Sequence, residues 1–330
     1  IFLPRIINKQ LNKIFEKGNL EGEFIIPFEL DGSIGKDYGF YGQISDATIN
    51  FTKEFSIKNL TTEINYDEEV TNNEFVIIIK EGSLFNIELA DTTINLKREN
   101  NKTKIRSLLR TNGKLNFSQI KKIAFLFSLD VDTFKDINGT ADLKTNISFD
   151  LDKKFKIKNL SYSTEGDISS LELFTEEKRI IRRYLPLYDP KIAFKETNIK
   201  FSKSKSNQIV ELNGLMKLNN QFDGFKIKNI YNYDKKSFDI NGNIKLTNSK
   251  VKISRLNYIK DHGKKSEISF DINFVLNKYY NIKNLNFLAD RTKINLSNIK
   301  LNKNFEVLDL KKLEIKTFLN EIKNNNFLVK

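Results

Sequence analysis

Cysteine and tryptophan are absent from this chain of 330 residues, and histidine occurs once, as His262. Without cysteine there are no disulfides and no thiolate metal ligands, and one histidine cannot supply a zinc motif that needs two. His262 lies in Lys260-Asp-His-Gly-Lys-Lys265, whose composition favours an exposed turn over a catalytic triad. We therefore expect no enzymatic activity, no metal and no cofactor.

Glycine motifs for nucleotides are also missing, since neither a Walker A sequence nor G-x-G-x-x-G occurs. The acidic run from Asp130 to Asp136 resembles a calcium loop. It carries Phe134 where a further oxygen ligand is needed, and Lys135 where glycine is needed. The run is therefore predicted to be an ordinary loop.

Long apolar runs are scarce. The longest, Phe75–Ile79, has the length of a strand and falls far below the ~20 residues that span a bilayer. No signal peptide is visible at the start. Because the chain begins with Ile1 rather than Met, we expect it to be a segment of a longer protein.

Lysine dominates the charged residues, and the net charge is +13. Lysine, asparagine, isoleucine and phenylalanine are all abundant, as in proteins of AT-rich genomes, so the basic balance does not by itself indicate a nucleic acid. Aromatics lie among lysines in Tyr231–Lys236, a pattern that single-strand binders also use. Packing between strands explains this stretch better, and we expect no nucleic-acid partner.

One six-residue phrase, aromatic-x-Ile-Lys-Asn-Leu/Ile, occurs four times, at Phe55–Leu60, Phe155–Leu160, Phe225–Ile230 and Tyr280–Leu285. Its first and third residues face one side of a strand, and its lysine faces the other. Each copy follows a polar, turn-like stretch, so the unit is predicted to be a hairpin. After the isoleucine the apolar phase shifts by one residue, which predicts a bulge or a strand end at the asparagine.

Strict alternation of apolar and polar residues marks three longer stretches, Ala141–Leu151, Phe238–Leu246 and Ile268–Leu276. This pattern is typical of a sheet with one apolar and one polar face. A polar stretch, Ala90–Thr93, is predicted to be a turn between two shorter strands.

Three short helices are predicted between the strands. The first starts near Pro4 and ends at Gly18, the second is capped by Ser118, and the third is capped by Thr175 and ended by Pro186. The third helix carries a basic cluster that either meets phosphate headgroups or forms a solvated helix face. The cluster consists of Lys178, Arg179, Arg182 and Arg183.

These patterns predict a mainly β fold, in which one long, curled antiparallel sheet consists of repeated hairpins with about three short helices. Residues 1–330 are predicted to form a single elongated segment with a weak internal division near 175–190. A sheet with one apolar face must bury it, and three short helices cannot cover more than ten strands. Either the sheet curls on itself, or its apolar face holds an apolar ligand.

Three stretches resemble the AsmA-like superfamily, in particular the YhdP-type and TamB-related proteins of Gram-negative bacteria. Phe2–Ile6 with Leu20–Phe24 looks like the family's helix followed by a strand that a glycine leads. Gly113–Phe127 with Ile137–Leu151 looks like its helix, Gly-x-Ala and alternating strand. The stretch Leu256–Ile294 is similar to its later hairpins.

The resemblance implies a non-enzymatic segment of a periplasmic bridge protein, anchored in the inner membrane through a segment outside this chain. It implies an apolar β-groove that holds phospholipid acyl chains during transport towards the outer membrane, with outer-membrane proteins as further partners. Headgroups would meet the basic cluster of the third helix. The expected groove-lining residues are Phe55, Ile57, Ile147, Phe149, Phe155, Ile157, Phe225, Ile227, Ile268, Phe270, Ile272, Phe274, Tyr280 and Ile282.

Two other hypotheses stay open. A structural or assembly scaffold, for outer-membrane protein biogenesis or cell-envelope integrity, predicts a closed core of packed side chains. A basic surface protein that binds nucleic acid or polysaccharide predicts lysines and aromatics on the same exposed face. The clearest strands place their lysines opposite the apolar face, which counts against this last hypothesis.

Overall fold

Strands make up most of the described chain. The computed structural model describes residues 15–35, 39–50, 56–67, 74–85, 87–99, 102–126, 135–153, 156–175, 179–219, 221–275, 278–319 and 322–329. Seventeen strands belong to one antiparallel sheet, and two short strands pair separately. The prediction of a long antiparallel sheet of hairpins with few helices is confirmed.

The elements described before residue 175 are β1 (Phe15–Ile25), β2 (Gly39–Asn50), β3 (Ser56–Asp67), β4 (Glu74–Leu84), β5 (Ile87–Glu99), β6 (Lys102–Leu115), α1 (Phe117–Leu126), β7 (Asp136–Leu151) and β8 (Ile157–Phe174). The elements described after it are α2 (Arg179–Tyr184), β9 (Lys191–Lys203), β10 (Asn207–Lys217), β11 (Phe222–Asn232), β12 (Ser237–Lys245), β13 (Val251–Ile253), a 3-10 helix (Ser254–Leu256), β14 (Tyr258–Lys260), β15 (Ser266–Val275), β16 (Tyr279–Ala289), β17 (Thr292–Asn302), β18 (Val307–Leu319) and β19 (Ile322–Val329).

The chain forms two compact units. Unit 1 consists of Ile1–Leu115 with Ala141–Thr164, and unit 2 consists of Asn116–Thr140 with Glu165–Lys330. In unit 1, strands β1 to β6 pair antiparallel in chain order. In unit 2, β9 to β12 and then β15 to β19 do the same, and β13 pairs with β14 in the connection between β12 and β15.

Left-handed residues interrupt several strands without ending them. Asp46, Asn59, Asp91, Asn159, Glu196 and Asn298 lie inside strands with φ between 45° and 54°. The residue after five of them is buried, namely Ala47, Leu60, Thr92, Thr197 and Ile299. An extra residue in one strand shifts the alternation by one, so the apolar side chains before and after it stay on the same face.

The repeated phrase contains either a left-handed residue or an extra residue in three of its four copies. Asn59 and Asn159 are left-handed, at the position where a bulge or strand end is predicted. In the copy that begins at Tyr280, the extra residue is Lys283, because Ile282 pairs with Ile272 while Asn284 pairs with Asp271. In the copy that begins at Phe225, the register of β11 is uninterrupted.

The predicted turn at Ala90–Thr93 is wrong, because β5 runs through it. Asp91 has φ 45°, and the pairing with β6 shifts between Ala90 and Thr93. The buried Thr92 hydroxyl accepts a hydrogen bond from the Arg110 backbone N–H over 3.1 Å. Polar residues that typify turns therefore form a bulge here.

The predicted end of the first helix is also wrong. Residues 1–14 lie outside the described residues, and Phe15 and Gly18 lie in β1. Gly18 has φ 142°, and a Cβ on it would lie 2.8 Å from the Ala47 Cβ. Glycine is needed because the bulge at Asp46 brings Ala47 against it.

The second predicted helix is confirmed as α1, but Ser118 does not cap it. The Asn116 side-chain oxygen accepts a hydrogen bond from the Gln119 N–H, and the Gln119 side-chain oxygen accepts one from the Asn116 N–H, each 3.0 Å long. This reciprocal pair is a capping box, and it begins the helix two residues before the predicted cap.

Close packing across the bulge at Glu196 leads to a stability prediction. A Cβ on Gly214 would lie 2.4 Å from the Thr197 Oγ1, whereas a Cβ on Gly224, in the neighbouring strand, would meet only the Lys245 side chain at 3.4 Å. We expect Gly214→Ala to lower the free energy of unfolding by about 1–3 kcal/mol in urea titrations. Gly224→Ala should change it by less than about 0.5 kcal/mol. Equal effects of the two substitutions would contradict this packing.

Candidate functional site: an apolar sheet face in unit 2

One face of the sheet in unit 2 carries apolar side chains in rows that cross strands β10 to β18. We call this surface the apolar face and divide it into a cap row, two middle rows and an aromatic row. Directly paired residues of adjacent antiparallel strands point to the same side, so the register defines each row. The rows follow the pairing of β10, β11, β12, β15, β16, β17 and β18.

The cap row is mostly buried. It consists of Phe225, Ile244, Ile268, Phe287, Ile294 and Ile315. Leu246, Val251 and Tyr258, from the segment that contains the β13–β14 hairpin, pack against this row, apart from Phe225, in one hydrophobic cluster. The Tyr258 ring lies edge-on to the Phe287 ring, with 6.0 Å between their centroids. The segment 246–260 therefore caps this margin of the apolar face.

The two middle rows are mostly half-buried. One consists of Leu212, Ile227, Gly242, Phe270, Leu285, Leu296 and Leu313, and the other of Val210, Asn229, Ile240, Ile272, Ile282, Ile299 and Leu310. Gly242 leaves room for its neighbours, since a Cβ there would lie 2.9 Å from the Phe270 ring. These rows form an apolar surface that keeps part of its area accessible.

The aromatic row lies next to the hairpin turns at the opposite margin. It consists of Tyr231, Phe238, Phe274 and Tyr280, followed by Leu301 and Val307. Ring centroids are 4.6 Å apart between Tyr231 and Phe238, 4.8 Å between Phe238 and Phe274, and 5.5 Å between Phe274 and Tyr280. The Tyr231–Phe238 pair is tilted and the other two pairs are stacked, and aromatic pairs at these distances stabilise one another beyond their burial.

The opposite face of unit 2 is polar and charged. Glu211 pairs with Lys228 over 2.7 Å, and this hydrogen bond is the main cause that lowers the pKa of Glu211. Lys283 lies 3.5 Å from both Asp239 and Asp271. A depression of about 650 Å³ is lined by lysines, Glu211 and asparagines, and also by four members of a middle row, namely Leu212, Ile227, Gly242 and Phe270. Lysine, carboxylate and amide groups make this the solvated side of the sheet.

Eight of the predicted groove-lining residues share the apolar face of unit 2. They are Phe225, Ile227, Ile268, Phe270, Ile272, Phe274, Tyr280 and Ile282. Phe225 is 3% exposed, and Ile268 packs against the cap cluster, so these two residues belong to the covered margin. The face in this unit is therefore graded from a covered margin to an open one.

Four predicted lining residues belong to unit 1. Ile57 packs against a cluster that includes Leu60 and Ala47. The Thr145 and Thr164 hydroxyls lie 3.0 Å apart across β7 and β8, and the alternation places Ile147 and Phe149 on the same side as Thr145. Ile157 is 57% exposed at the start of β8. Two further predicted residues, Phe55 and Phe155, lie outside the described residues.

The predicted headgroup cluster lies beside the cap. Arg179 begins α2, and Arg182 and Arg183 are exposed on it, while Lys178 lies outside the described residues. Helix α2 contacts β13, and Leu185 packs against the cluster that covers the cap row. The basic helix is therefore near the covered margin of the apolar face, not the accessible one.

No local pattern in the sequence marks the aromatic row as a unit. The sequence around Tyr231 indicates only strand packing, and the alternation around Phe238 indicates only a strand. The signal that unites these residues is their position within two residues of a hairpin turn, on strands that prove to be neighbours.

Three further sequence features concern His262, the acidic run and membrane-spanning helices. His262 is exposed in the turn between β14 and β15, as predicted. Residues 127–134, which hold most of the acidic run, lie outside the described residues. In the described part of the chain, no helix is both long and apolar enough to cross a membrane.

Comparisons with known proteins returned no relatives: no family model, curated protein or solved structure matches the chain. The resemblance to the AsmA-like superfamily therefore stays a prediction.

A buried lysine joins the two ends of the cap segment and also bonds to the sheet through Ser266. Lys260 is 2% exposed, and its ammonium group donates to the Leu246 and Thr247 carbonyls and to the Ser266 hydroxyl. Burial lowers the pKa of Lys260, while Asp223 and Asp261 act in the opposite direction. The unfolded chain therefore holds this proton at alkaline pH values where the folded protein releases it, so this group contributes stability that rises with pH.

We expect Lys260→Met to lower the free energy of unfolding by about 1–3 kcal/mol at neutral pH, because three acceptors lose their donor. The deficit relative to wild type should widen as the pH rises towards the ordinary pKa of lysine, since only the wild type gains from releasing the proton. Urea titrations over this pH range measure both effects. Lys252→Met, at an exposed lysine of the same hairpin, is the control, and a deficit that narrows with pH would contradict the assignment.

Proposed function

We propose that this chain is a non-enzymatic lipid-binding segment whose apolar face holds the acyl chains of phospholipids. The observation that carries the proposal is the pair of middle rows, in which apolar side chains, interrupted by Gly242 and Asn229, extend across six strands and stay mostly half-buried. A water-soluble packed core would bury such rows fully. Partial cover fits a surface that an apolar ligand completes.

The dimensions of the middle rows suit an acyl chain. Strands are spaced ~4.8 Å apart, so the six strands from β11 to β18 span about 24 Å. One leaflet of a bilayer has about half of a ~30 Å hydrocarbon core, and an acyl chain fills that depth. Each methylene that leaves water for these rows contributes about 0.8 kcal/mol to binding. An acyl chain that lies along one row therefore gains enough free energy to bind.

In this proposal the polar face of the sheet is solvated, and the apolar face binds the lipid. The polar face keeps the strands in water through ion pairs such as Glu314 with Lys293 and Lys316. Hydrogen bonds from Lys316 and Lys293 lower the pKa of Glu314, so this acceptor stays ionised. Headgroups of bound lipids would lie at the open margin, in water. The resemblance to periplasmic bridge proteins extends this proposal to transport between the inner and outer membranes.

A charge placed in a middle row tests the proposal. We expect Ile240→Asp to weaken binding of a fluorescent fatty acid by about tenfold or more, because the carboxylate must lose water when the chain binds. Asn241→Asp adds the same charge one residue later on the polar face, and its affinity should match the wild type. Circular dichroism and urea titrations show whether both variants are folded.

Two outcomes would contradict acyl-chain binding. In the first, wild-type protein binds no fatty acid and carries no phospholipid when purified without detergent. In the second, the two aspartate variants lose affinity equally. Either result would favour the structural scaffold, in which the apolar rows serve only to pack the protein.

A further inference from the structure

Four hairpin turns of unit 2 lie together beside the aromatic row. They join β9 to β10, β11 to β12, β15 to β16 and β17 to β18, and the register places all four at the same margin of the sheet. We call this margin the turn edge. The Phe305 ring, in the last of these turns, stacks on Tyr280 with 4.6 Å between centroids and extends the aromatic row out of the sheet.

The tip of the β17–β18 hairpin is apolar and exposed. Phe305 is 65% exposed, Val307 62% and Leu308 59%. Phe305 also has φ 64°, a conformation that a bulky residue rarely adopts and that asparagine or glycine would adopt more easily. A large ring that is both strained and in water is unfavourable for the isolated molecule, which points to a partner.

Lysines surround this tip. The four turns carry five exposed lysines, Lys205, Lys235, Lys236, Lys278 and Lys303, against two exposed carboxylates, Asp234 and Glu306. Of these two carboxylates, Glu306 already has a hydrogen-bond partner, because it accepts a hydrogen bond from the Asn302 side chain over 2.6 Å. The turn edge therefore combines an apolar tip, an aromatic row and a net positive rim.

We propose that the turn edge docks on an anionic lipid bilayer surface. Aromatic rings concentrate at the level of lipid headgroups, apolar tips enter the outer hydrocarbon, and lysines near the surface each contribute about fivefold to binding of anionic lipid. An acidic protein partner would account for the lysines but leaves the apolar tip without a role. The docking goes beyond acyl-chain binding, since a surface can hold chains without contacting a bilayer.

The test is flotation of the full chain with vesicles of phosphatidylcholine alone and with vesicles in which phosphatidylglycerol replaces part of it. We expect wild type to float with the anionic vesicles only. The triple variant Phe305→Asn, Val307→Thr, Leu308→Thr should lower the partition coefficient by about tenfold or more. It should fold as well as wild type, because asparagine suits the left-handed turn and threonine suits a strand.

Two matched controls come from the opposite margin. Ile259→Thr with Leu288→Thr removes apolar side chains that are 44% and 49% exposed, and this variant should float like wild type.

The lysines of the turn edge are tested in the same way. Lys278→Gln with Lys303→Gln should weaken binding by about fivefold for each lysine, whereas Lys264→Gln with Lys265→Gln, at the opposite margin, should not weaken it. Ile240→Asp, which tests acyl-chain binding, should leave flotation intact, so the two proposals can fail separately.

Three results would overturn the docking proposal. The first is wild type that floats with neither type of vesicle, and the second is a triple variant that floats as well as wild type. The third is loss of binding in the controls at the opposite margin that equals the loss in the variants of the turn edge.

Discussion

Contact between apolar side chains of neighbouring strands, all on one side of the sheet, is the interaction on which the rest of this protein depends. A one-residue slip would send these side chains to the solvated face. Left-handed residues such as Asn59 and Asn298 adjust the phase within a strand, and the residue that follows each of them is buried. Bulges thus keep long strands of uneven pattern on a single apolar face in each unit.

In the described part of unit 2, other residues of the chain cover the apolar face at one margin only. The segment 246–260 packs on the cap row. Lys260 joins the ends of this segment through the Leu246 and Thr247 carbonyls and reaches β15 through the Ser266 hydroxyl. The middle rows stay half-buried, and the aromatic row ends at the apolar tip around Phe305. This gradient, from a covered margin to an exposed one, is the physical basis for proposing a lipid ligand for the middle rows and a lipid surface for the turn edge.

Local pattern determined what could be predicted from the sequence. Alternation in Ile268–Leu276 and in the repeated phrase predicted strands, their faces and the bulge at Asn59, because those depend on near neighbours. The cap of α1 and the bulge at Asp91 were missed, since Asn and Asp serve caps, turns and bulges alike. The cap over Phe287 and the row that runs from Tyr231 to Phe305 depend on which strands become neighbours, and no local pattern specifies that.

Photo-crosslinking tests the central claim most directly, namely that the apolar face holds acyl chains. A benzophenone amino acid at Phe274, on the apolar face, is compared with the same residue at Lys283, on the polar face, in cells that express the full-length protein. The account predicts phospholipid adducts, identified by mass, at position 274 and none at position 283. Equal adducts at the two positions, or none at 274 in a folded protein, would contradict it.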